Sequence, residues 1–183
     1  MKLSRARSHL LIIDVQDKLL PAIHRGDEVA ARCAVLAQAA CLLDLPVTIS
    51  QQYPRGLGGT LESVSDAAGP QARVFDKTSF SCAGDPAIRA HLDATASMRP
   101  QIVMCGIEAH VCVAQTALDL HAMGLAVAVV TDAIGSRDPS SRDVALLRLA
   151  QAGVMPVTSE MAMFEWIGDA GSPEFKRLLP LIK

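Results

Sequence analysis

Short, almost purely apolar runs alternate along the chain with longer segments in which apolar residues recur every three or four positions. The runs predict a buried strand at 9–14 and further strands at 45–50, 72–77, 101–106 and 125–133, the last of them the most apolar. A sixth run, 154–159, contains Pro156, so a strand here belongs at an edge of the sheet, where a missing N–H is tolerated.

The segments between these runs have the spacing of helices. Helical periodicity covers 28–43, 85–95, 109–123, 139–152 and a short piece at 159–166. Strands that alternate with helices and are apolar throughout are typical of a parallel sheet covered on both faces. We therefore predict an α/β fold, a three-layer α/β/α sandwich with a six-stranded parallel sheet in a Rossmann-like arrangement. The stretch 56–69 has no clear period and is interpreted as a loop that could border a binding site.

The composition narrows the functional class. Half of the 183 residues are hydrophobic and a fifth are charged, as in globular domains. Lysine and arginine number 17 against 19 aspartates and glutamates, so no basic excess indicates a nucleic-acid partner. The N-terminal apolar run ends at Asp14, and no stretch approaches the ~20 apolar residues that span a bilayer. We expect one domain over 1–183, in the cytoplasm, without a membrane partner.

In an open parallel sheet, ligands bind outside the carboxyl ends of the strands. This rule selects four polar places: Asp14 after the first strand, Lys77 at the end of the third, the segment 106–112 after the fourth, and Asp132 at the end of the fifth. These are the positions where a functional site is expected.

Cys112 is the candidate nucleophile because it begins a predicted helix just after a strand that ends in glycine. Backbone N–H groups at a helix N-terminus favour a thiolate, and Lys77 would favour it further, so we expect a lowered thiol pKa. A carboxylate beside the thiol can take its proton and return it to a leaving group, and Asp14 is placed to do so. The alternative is that Cys112 only fills the core, as free cysteines often do.

The other cysteines are interpreted as structural. Five cysteines at irregular spacing do not suit a disulfide framework and predict free thiols in a reducing compartment. Cys105 lies within a strand and should pack. Cys33 and Cys41 share a helix and are expected to face the sheet. Cys82 follows "KTSFS" in a loop, where a passive role is preferred.

The histidines form neither a dyad nor a metal site in this interpretation. His110 is two residues before Cys112, which places the two side chains on different faces of a helix. No histidine pair has metal-ligand spacing, so neither a metal nor another cofactor is expected. His9, His24 and His91 are expected at the surface or at caps. "GLGGT" lacks G-x-G-x-x-G and the Walker lysine, so it is interpreted as a flexible loop.

Three stretches, "LLIIDVQDKLLPAI", "FDKTSFS" and "CGIEAHVCVAQTALDL", together resemble the isochorismatase-like cysteine hydrolases, with "QQYPRGLGGT" similar to a loop of the branch that contains isochorismatase-domain and YcaC-like members. The resemblance runs from about residue 8 to 165. It implies the isochorismatase-like hydrolase fold, a small-molecule substrate, no cofactor and a homo-oligomer. The segment 168–183 would then be either an oligomerisation arm or a piece that folds back onto its own domain.

By motif position, the catalytic aspartate, lysine and cysteine of that family fall on Asp14, Lys77 and Cys112. The resemblance implies that Asp14 accepts the thiol proton and that Lys77 stabilises the thiolate and orients Asp14. The thiolate would attack an amide or related carbonyl-type carbon, and water would resolve the thioester.

The resemblance also implies a cis peptide bond between Ile107 and Glu108 and an oxyanion hole made by the N–H groups of Glu108 and Cys112. Gln16 and Phe80 would line the substrate pocket. Nicotinamidases of the family hold a metal with an Asp-x-His and a further histidine, whereas this chain has "SQQYPRG" after its second strand. The metal-dependent route is therefore not expected.

Other functional classes remain open at this point. The chain could be a catalytically idle, oligomeric interaction module of the same fold, although Asp14, Lys77 and Cys112 are all present. It could also be a dinucleotide-binding oxidoreductase on the same type of sheet, but the glycine fingerprint is missing. Isochorismatases themselves hydrolyse a vinyl ether, so the resemblance does not identify the substrate.

Overall fold

The computed structural model describes residues 1–182 and confirms the predicted α/β fold. Six strands form one sheet: β1 (Ser8–Ile13), β2 (Val47–Gln52), β3 (Arg73–Lys77), β4 (Gln101–Ile107), β5 (Ala126–Gly135) and β6 (Met155–Val157). Their order is β3-β2-β1-β4-β5-β6, and all neighbouring strands are parallel. The order reverses between β1 and β4, which is where a ligand site is expected in such a sheet.

Helices cover both faces of the sheet. They are α1 (Gly26–Leu42), α2 (Pro54–Leu57), α3 (Glu62–Ala68), α4 (Pro86–Ala96), α5 (Ala114–Ala122), α6 (Pro139–Gln151), α7 (Ser159–Ile167) and α8 (Pro173–Ile182). Apolar residues of α1, α3, α7 and α8 share one core with Leu10 and Ile12 of β1. Those of α4, α5 and α6 share a second core with Leu11 and Ile13. This alternation follows from the two-residue period of a strand.

The stretch 56–69 is not the irregular loop that we expected. Most of it is helical, since α2 ends at Leu57 and α3 covers seven residues from Glu62. In α3 only Val64 and Ala68 are buried. A helix of two turns with two buried positions is too short for its period to be recognised in the sequence.

The sixth strand lies at the predicted edge of the sheet, and the C-terminal helix takes one of the two arrangements considered for 168–183. The short strand β6 contains Pro156 and lies at the edge of the sheet. The helix α8 folds back onto its own domain, where Leu178 is buried in the core and Glu174 pairs with Arg5 at 2.9 Å. Lys183 lies outside the described residues. Among residues 1–182, no helix combines the length and the apolar character needed to cross a bilayer.

His9 is buried in β1, so its expected place at the surface or at a cap is wrong. Its Nε2 lies 2.8 Å from Thr48 Oγ1, and His91 Nε2 lies 3.0 Å from the same oxygen. The pKa of His9 is lowered to about 4, mainly by burial and further by the nearby His91 and Arg99. The partners come from distant segments, so the residues around His9 in the sequence could not indicate them.

Acidification to about pH 4 should lower the free energy of unfolding by about 3 kcal/mol through His9 alone. The unfolded chain, with an ordinary histidine pKa of 6.5, binds the proton more tightly than the folded chain, whose value is about 4. Stability is therefore full above pH 6.5 and is lost as the pH falls towards 4. Urea unfolding of the wild type and of His9→Gln at several pH values gives the free energy of unfolding as a function of pH. The contribution of His9 is the difference between the slopes of these two curves. Identical slopes would contradict it, because the two proteins share every other titrating group.

Candidate active site

Asp14 and Lys77 form a buried ion pair at the carboxyl ends of β1 and β3. Lys77 Nζ lies 2.7 Å from Asp14 Oδ2, and both side chains are 0% exposed. The other carboxylate oxygen, Oδ1, accepts a hydrogen bond of 2.7 Å from Ser50 Oγ on β2. The structure thus brings together two predicted residues that are 63 positions apart in the sequence. A buried charge is tolerated when it is paired and hydrogen-bonded in this way.

The ammonium group of Lys77 is surrounded by acceptors. Besides Asp14, it donates to Gln52 Oε1 at 2.7 Å and to the carbonyl oxygens of Ser79 and Phe80, each at 3.2 Å. An ammonium group has three donor hydrogens, so this environment engages all of them. Lys77 is therefore suited to hold a positive charge in place rather than to release a proton.

Burial would by itself lower the pKa of Lys77, but the negative charge of Asp14 and, at the high pH where they ionise, those of Cys112 and Cys82 outweigh it and raise the pKa. The three groups that act on Lys77 also show that Cys112 belongs to the same buried cluster. The structure therefore unites Asp14, Lys77 and Cys112, which the sequence analysis proposed together.

Cys112 lies in a π-helical turn, Ala109–Val113, between β4 and α5, and is 5% exposed. Such turns occur frequently at functional sites. The peptide bond between Ile107 and Glu108 is cis. Among residues 1–182, the Glu108 N–H has no protein acceptor, and the Cys112 N–H donates to none outside its own turn. The Glu108 N–H is therefore unpaired in the part of the chain that the structure describes.

The pKa of Cys112 is raised to about 12, so the expectation of a lowered pKa is wrong. Burial is the main cause and the negative charge of Asp14 is the second, while Lys77 acts in the opposite direction without prevailing. The helix N-terminus and Lys77 could be recognised in the sequence, but the burial of the thiol and the proximity of Asp14 could not. The resting thiol is therefore protonated, and a thiolate forms only when a base takes its proton.

Gly106 allows β4 to approach the end of β1 closely. Its φ is +117°, and a Cβ at this position would lie 2.0 Å from the carbonyl oxygen of Ile13. Side chains essentially never occupy such a space, and a positive φ disfavours every residue except glycine. Asp14 follows Ile13 directly, and the turn that carries Cys112 follows Gly106. The contact therefore sets the spacing between the two halves of the site.

Side chains of the turn anchor it to the loop after β5. Glu108 Oε2 accepts hydrogen bonds from the N–H and the Nε of Arg137, at 3.0 and 3.1 Å. His110 Nδ1 lies 2.9 Å from Ser136 Oγ. The Glu108 carboxylate, for which the sequence predicted no role, therefore holds this residue against the loop after β5.

The two residues expected to line the pocket differ in their environments. Gln16 is fully buried, and its amide binds the backbone of Gln52 and Gly58 at 2.7–3.0 Å. It joins the end of β2 to the loop after α2. Phe80 is 55% exposed while its carbonyl accepts from Lys77, so its ring is accessible beside the site.

Cys33 and Cys105 are buried as predicted, but Cys41 is exposed, contrary to the prediction. Eight residues on an α-helix correspond to a rotation of about 80° beyond two turns, which is enough to move Cys41 off the face that carries Cys33. Cys82 is buried close to the ion pair, and its N–H donates to Thr116 Oγ1 at 2.9 Å.

The sequence analysis did not select Ser50 or Gln52, which hold Asp14 and Lys77. A signal was present, since Thr48, Ser50 and Gln52 alternate as polar residues in a strand of a parallel sheet, where continuous apolar runs are usual. Asp132, in contrast, is not part of the cluster. Its carboxylate accepts from the N–H and the hydroxyl of Ser159 at the start of α7.

A cavity of about 380 Å³ lies beside Lys77, with Tyr53, Pro54, Arg55 and Thr78 among its lining residues. Two larger cavities, of about 640 and 510 Å³, are lined by none of the three proposed catalytic residues. The largest cavities therefore do not coincide with the position of the Asp14–Lys77 ion pair. In the part of the chain that the structure describes, no three His, Cys, Asp or Glu side chains converge as metal ligands.

Comparison with protein families gives a match to the isochorismatase domain over residues 8–161. Among curated proteins, the chain is 39% identical to the secreted isochorismatase effector Isc1 of Phytophthora sojae, over 96% of this chain and 84% of the relative. It is 38% identical to human isochorismatase domain-containing protein 2, over 96% of this chain and 83% of the relative.

Solved structures show the same fold. The MAR1 ribonuclease of Caenorhabditis elegans superposes with a TM-score of 0.93 at 34% identity, covering 100% of this chain and 92% of the other. YcaC of Pseudomonas aeruginosa, solved with hexane-2,5-diol and covalent acrylamide, gives 0.90 at 25% identity, covering 98% and 91%. YcaC of Escherichia coli, described as an octameric hydrolase of unknown specificity, gives 0.91 at 23%, covering 99% and 90%.

Proposed function

Because the chain belongs to the isochorismatase family, we propose that it is a cysteine hydrolase that cleaves a C–N bond in a small amide or related metabolite. The observation that carries this proposal is the buried Asp14–Lys77 ion pair, 2.7 Å long, beside the thiol of Cys112. An acid–base group, a fixed cation and a potential nucleophile in one buried cluster are the components of nucleophilic catalysis.

In the first half-reaction, Asp14 takes the proton of Cys112 as the sulfur attacks the carbonyl carbon. The positive charge of Lys77 stabilises the thiolate while it forms. The N–H groups of Glu108 and Cys112 stabilise the oxyanion, and one such donor contributes about 3–4 kcal/mol to transition-state binding in well-studied hydrolases. The C–N bond then breaks, and Asp14 transfers its proton to the leaving nitrogen.

In the second half-reaction, water attacks the thioester carbon and gives a proton to Asp14. The C–S bond breaks, the acid product leaves, and the proton returns from Asp14 to the sulfur of Cys112. The raised thiol pKa of about 12 suits this scheme, because the resting enzyme holds the proton on sulfur and the base is needed in each cycle.

We propose a small substrate because the thiol of Cys112 is only 5% exposed and the cavity that Lys77 borders, which neither Asp14 nor Cys112 lines, measures about 380 Å³. The covalent acrylamide in the P. aeruginosa relative shows that a small amide-bearing molecule reacts with that protein. We propose no cofactor for the reaction, because the scheme needs only protein groups and water. We also propose a cytoplasmic homo-oligomer, given five free cysteines and an octameric relative.

Ribonuclease activity, which the name of the C. elegans relative suggests, is the weaker candidate. The chain has 17 basic and 19 acidic residues, whereas RNA-binding proteins usually carry a basic surface. Incubation with single-stranded RNA at low salt would distinguish the two activities: RNA cleavage that survives loss of the thiol would favour the nuclease.

Labelling with acrylamide in a Cys41→Ser background, which removes the exposed thiol, tests the proposed function. We expect the adduct on Cys112, at a rate that stays nearly constant from pH 9 down to about pH 6, because Asp14 accepts the proton internally. A free thiol in solution, such as N-acetylcysteine, should lose about tenfold in rate per pH unit over the same range below its pKa.

The measurement is peptide mapping by mass spectrometry at each pH, with Asp14→Asn as the matched variant. Asp14→Asn should convert the flat profile into one that rises with pH. If the labelling rate of Cys112 already rises tenfold per pH unit in the protein that retains Asp14, Cys112 behaves as a simple thiol with a high pKa. The proposed proton transfer to Asp14 is then wrong.

A further inference from the structure

We propose that Ser50 is a positioning residue of this site, which holds the carboxylate of Asp14 in the orientation needed for its proton exchange with Cys112. This inference rests on the proposed function, since it assigns Ser50 a role through Asp14 and not through direct contact with substrate. The hydroxyl lies on β2, between the strand that carries Asp14 and the strand that carries Lys77.

Ser50 binds Asp14 at two points. Its Oγ donates to Asp14 Oδ1 at 2.7 Å, and its carbonyl oxygen accepts from the Asp14 N–H at 3.1 Å. Both residues are 0% exposed. The backbone contact places the start of the Asp14 side chain, and the hydroxyl contact then restricts the rotation of the carboxylate.

The two side-chain donors to Asp14 bind different oxygens of its carboxylate. Lys77 binds Oδ2 and supplies the compensating charge, while Ser50 binds Oδ1 and is neutral. A hydrogen bond to an ionised acceptor is about twice as strong as one between neutral groups. Ser50 therefore fixes the second carboxylate oxygen of Asp14 without adding a second positive charge to the site.

Three titratable groups face Asp14 from the elements around it. They are Lys77 at the end of β3, Cys112 in the π-helical turn and Cys82 in the segment after β3. Cys82 is fully buried, and burial is the main reason that its pKa is raised. Lys77 binds Oδ2, so among the described residues the hydroxyl of Ser50 is the side-chain donor that fixes the other oxygen, Oδ1.

The test is the pH–rate profile of Cys112 labelling by acrylamide in the Cys41→Ser background, with and without Ser50→Ala. Loss of the donor should leave the Asp14 carboxylate free to rotate away from Cys112, so the labelling rate should fall by about tenfold across the profile, as expected when one hydrogen bond to a charged group is lost. Ser50→Thr restores a hydroxyl at the same position and should restore the original profile. Unfolding curves for each variant show that the measured protein is folded.

Thr48→Ala is the matched control, because it removes another buried hydroxyl from the same face of β2, one that contacts His9 and His91 instead of the site. It should lower stability without lowering the rate of Cys112 labelling. A Ser50→Ala profile that overlays the wild type, or a Thr48→Ala profile that falls equally, would overturn the role of Ser50. If acrylamide never reaches Cys112 in the Cys41→Ser protein, the proposed function itself fails.

Discussion

Replacement of Cys112 by alanine should abolish hydrolysis of any small amide, carbamate or ureide that the wild-type protein turns over. We expect kcat/KM to fall by about 10⁴-fold or more, because removal of a nucleophile eliminates the covalent route and leaves only binding and oxyanion stabilisation. The fold should tolerate the change, since alanine fills most of the space of a thiol that is 5% exposed. The wild-type protein is first screened against a panel of such compounds by steady-state kinetics. The kcat/KM of Cys112→Ala is then measured for each compound that the wild type hydrolyses.

Cys105→Ala is the matched control for this experiment. Cys105 is 0% exposed and lies in β4, seven positions before Cys112, so its removal should cost stability while turnover persists. A substrate that Cys112→Ala hydrolyses as fast as the wild type would exclude the thioester mechanism for that compound, and a substrate lost equally in both variants would indicate a general loss of structure.

Replacement of Lys77 by methionine should lower the free energy of unfolding by about 3–5 kcal/mol, which is the usual cost when one partner of a buried ion pair is removed. Methionine fills a similar volume, but the carboxylate of Asp14 would be left buried without its cation, with Ser50 as its remaining side-chain donor. The double variant Asp14→Asn, Lys77→Met should recover a large part of this loss, because no buried charge remains. Urea unfolding of the two variants and the wild type gives the values.

Arg89→Met serves as the comparison, since it breaks the exposed pair between Arg89 and Asp93, whose side chains are 42% and 50% exposed. Such pairs contribute about 0.2–1 kcal/mol. Losses of equal size for Lys77→Met and Arg89→Met would show that burial of the Asp14–Lys77 pair has no energetic weight.

The fold could be predicted almost completely because it depends on local patterns. An apolar run of five or six residues followed by a helical period is sufficient to define each β–α unit, and even β6 was recognisable once Pro156 was taken as an edge signal. The exceptions lack such a pattern. α3 buries only Val64 and Ala68, and the irregular pairing of β4 with β5 between Met104 and Gly106 depends on how two distant strands meet.

The proximity of the three proposed residues was predictable from the sequence, but their energetics were not. Asp14 and Lys77 stand at strand ends and Cys112 follows the end of β4, at the edge of the sheet where the topology brings such residues together. The pKa of Cys112 depends on how deeply the thiol is buried and on its proximity to Asp14, and the place of His9 depends on Thr48 and His91. These are non-local quantities. The π-helical turn likewise has no sequence period that distinguishes it from the start of α5.

The contact between Gly106 and Ile13 has a consequence for how such a protein can diversify. Since backbone atoms alone determine the spacing there, substitutions that change side-chain volume in either core do not directly alter the geometry between the strand that precedes Asp14 and the turn that carries Cys112. Residues such as Tyr53 and Phe80, each 55% exposed, can be substituted without altering the backbone contact between Gly106 and Ile13. New substrate preferences can therefore arise by surface substitution, while the chemical step is inherited unchanged.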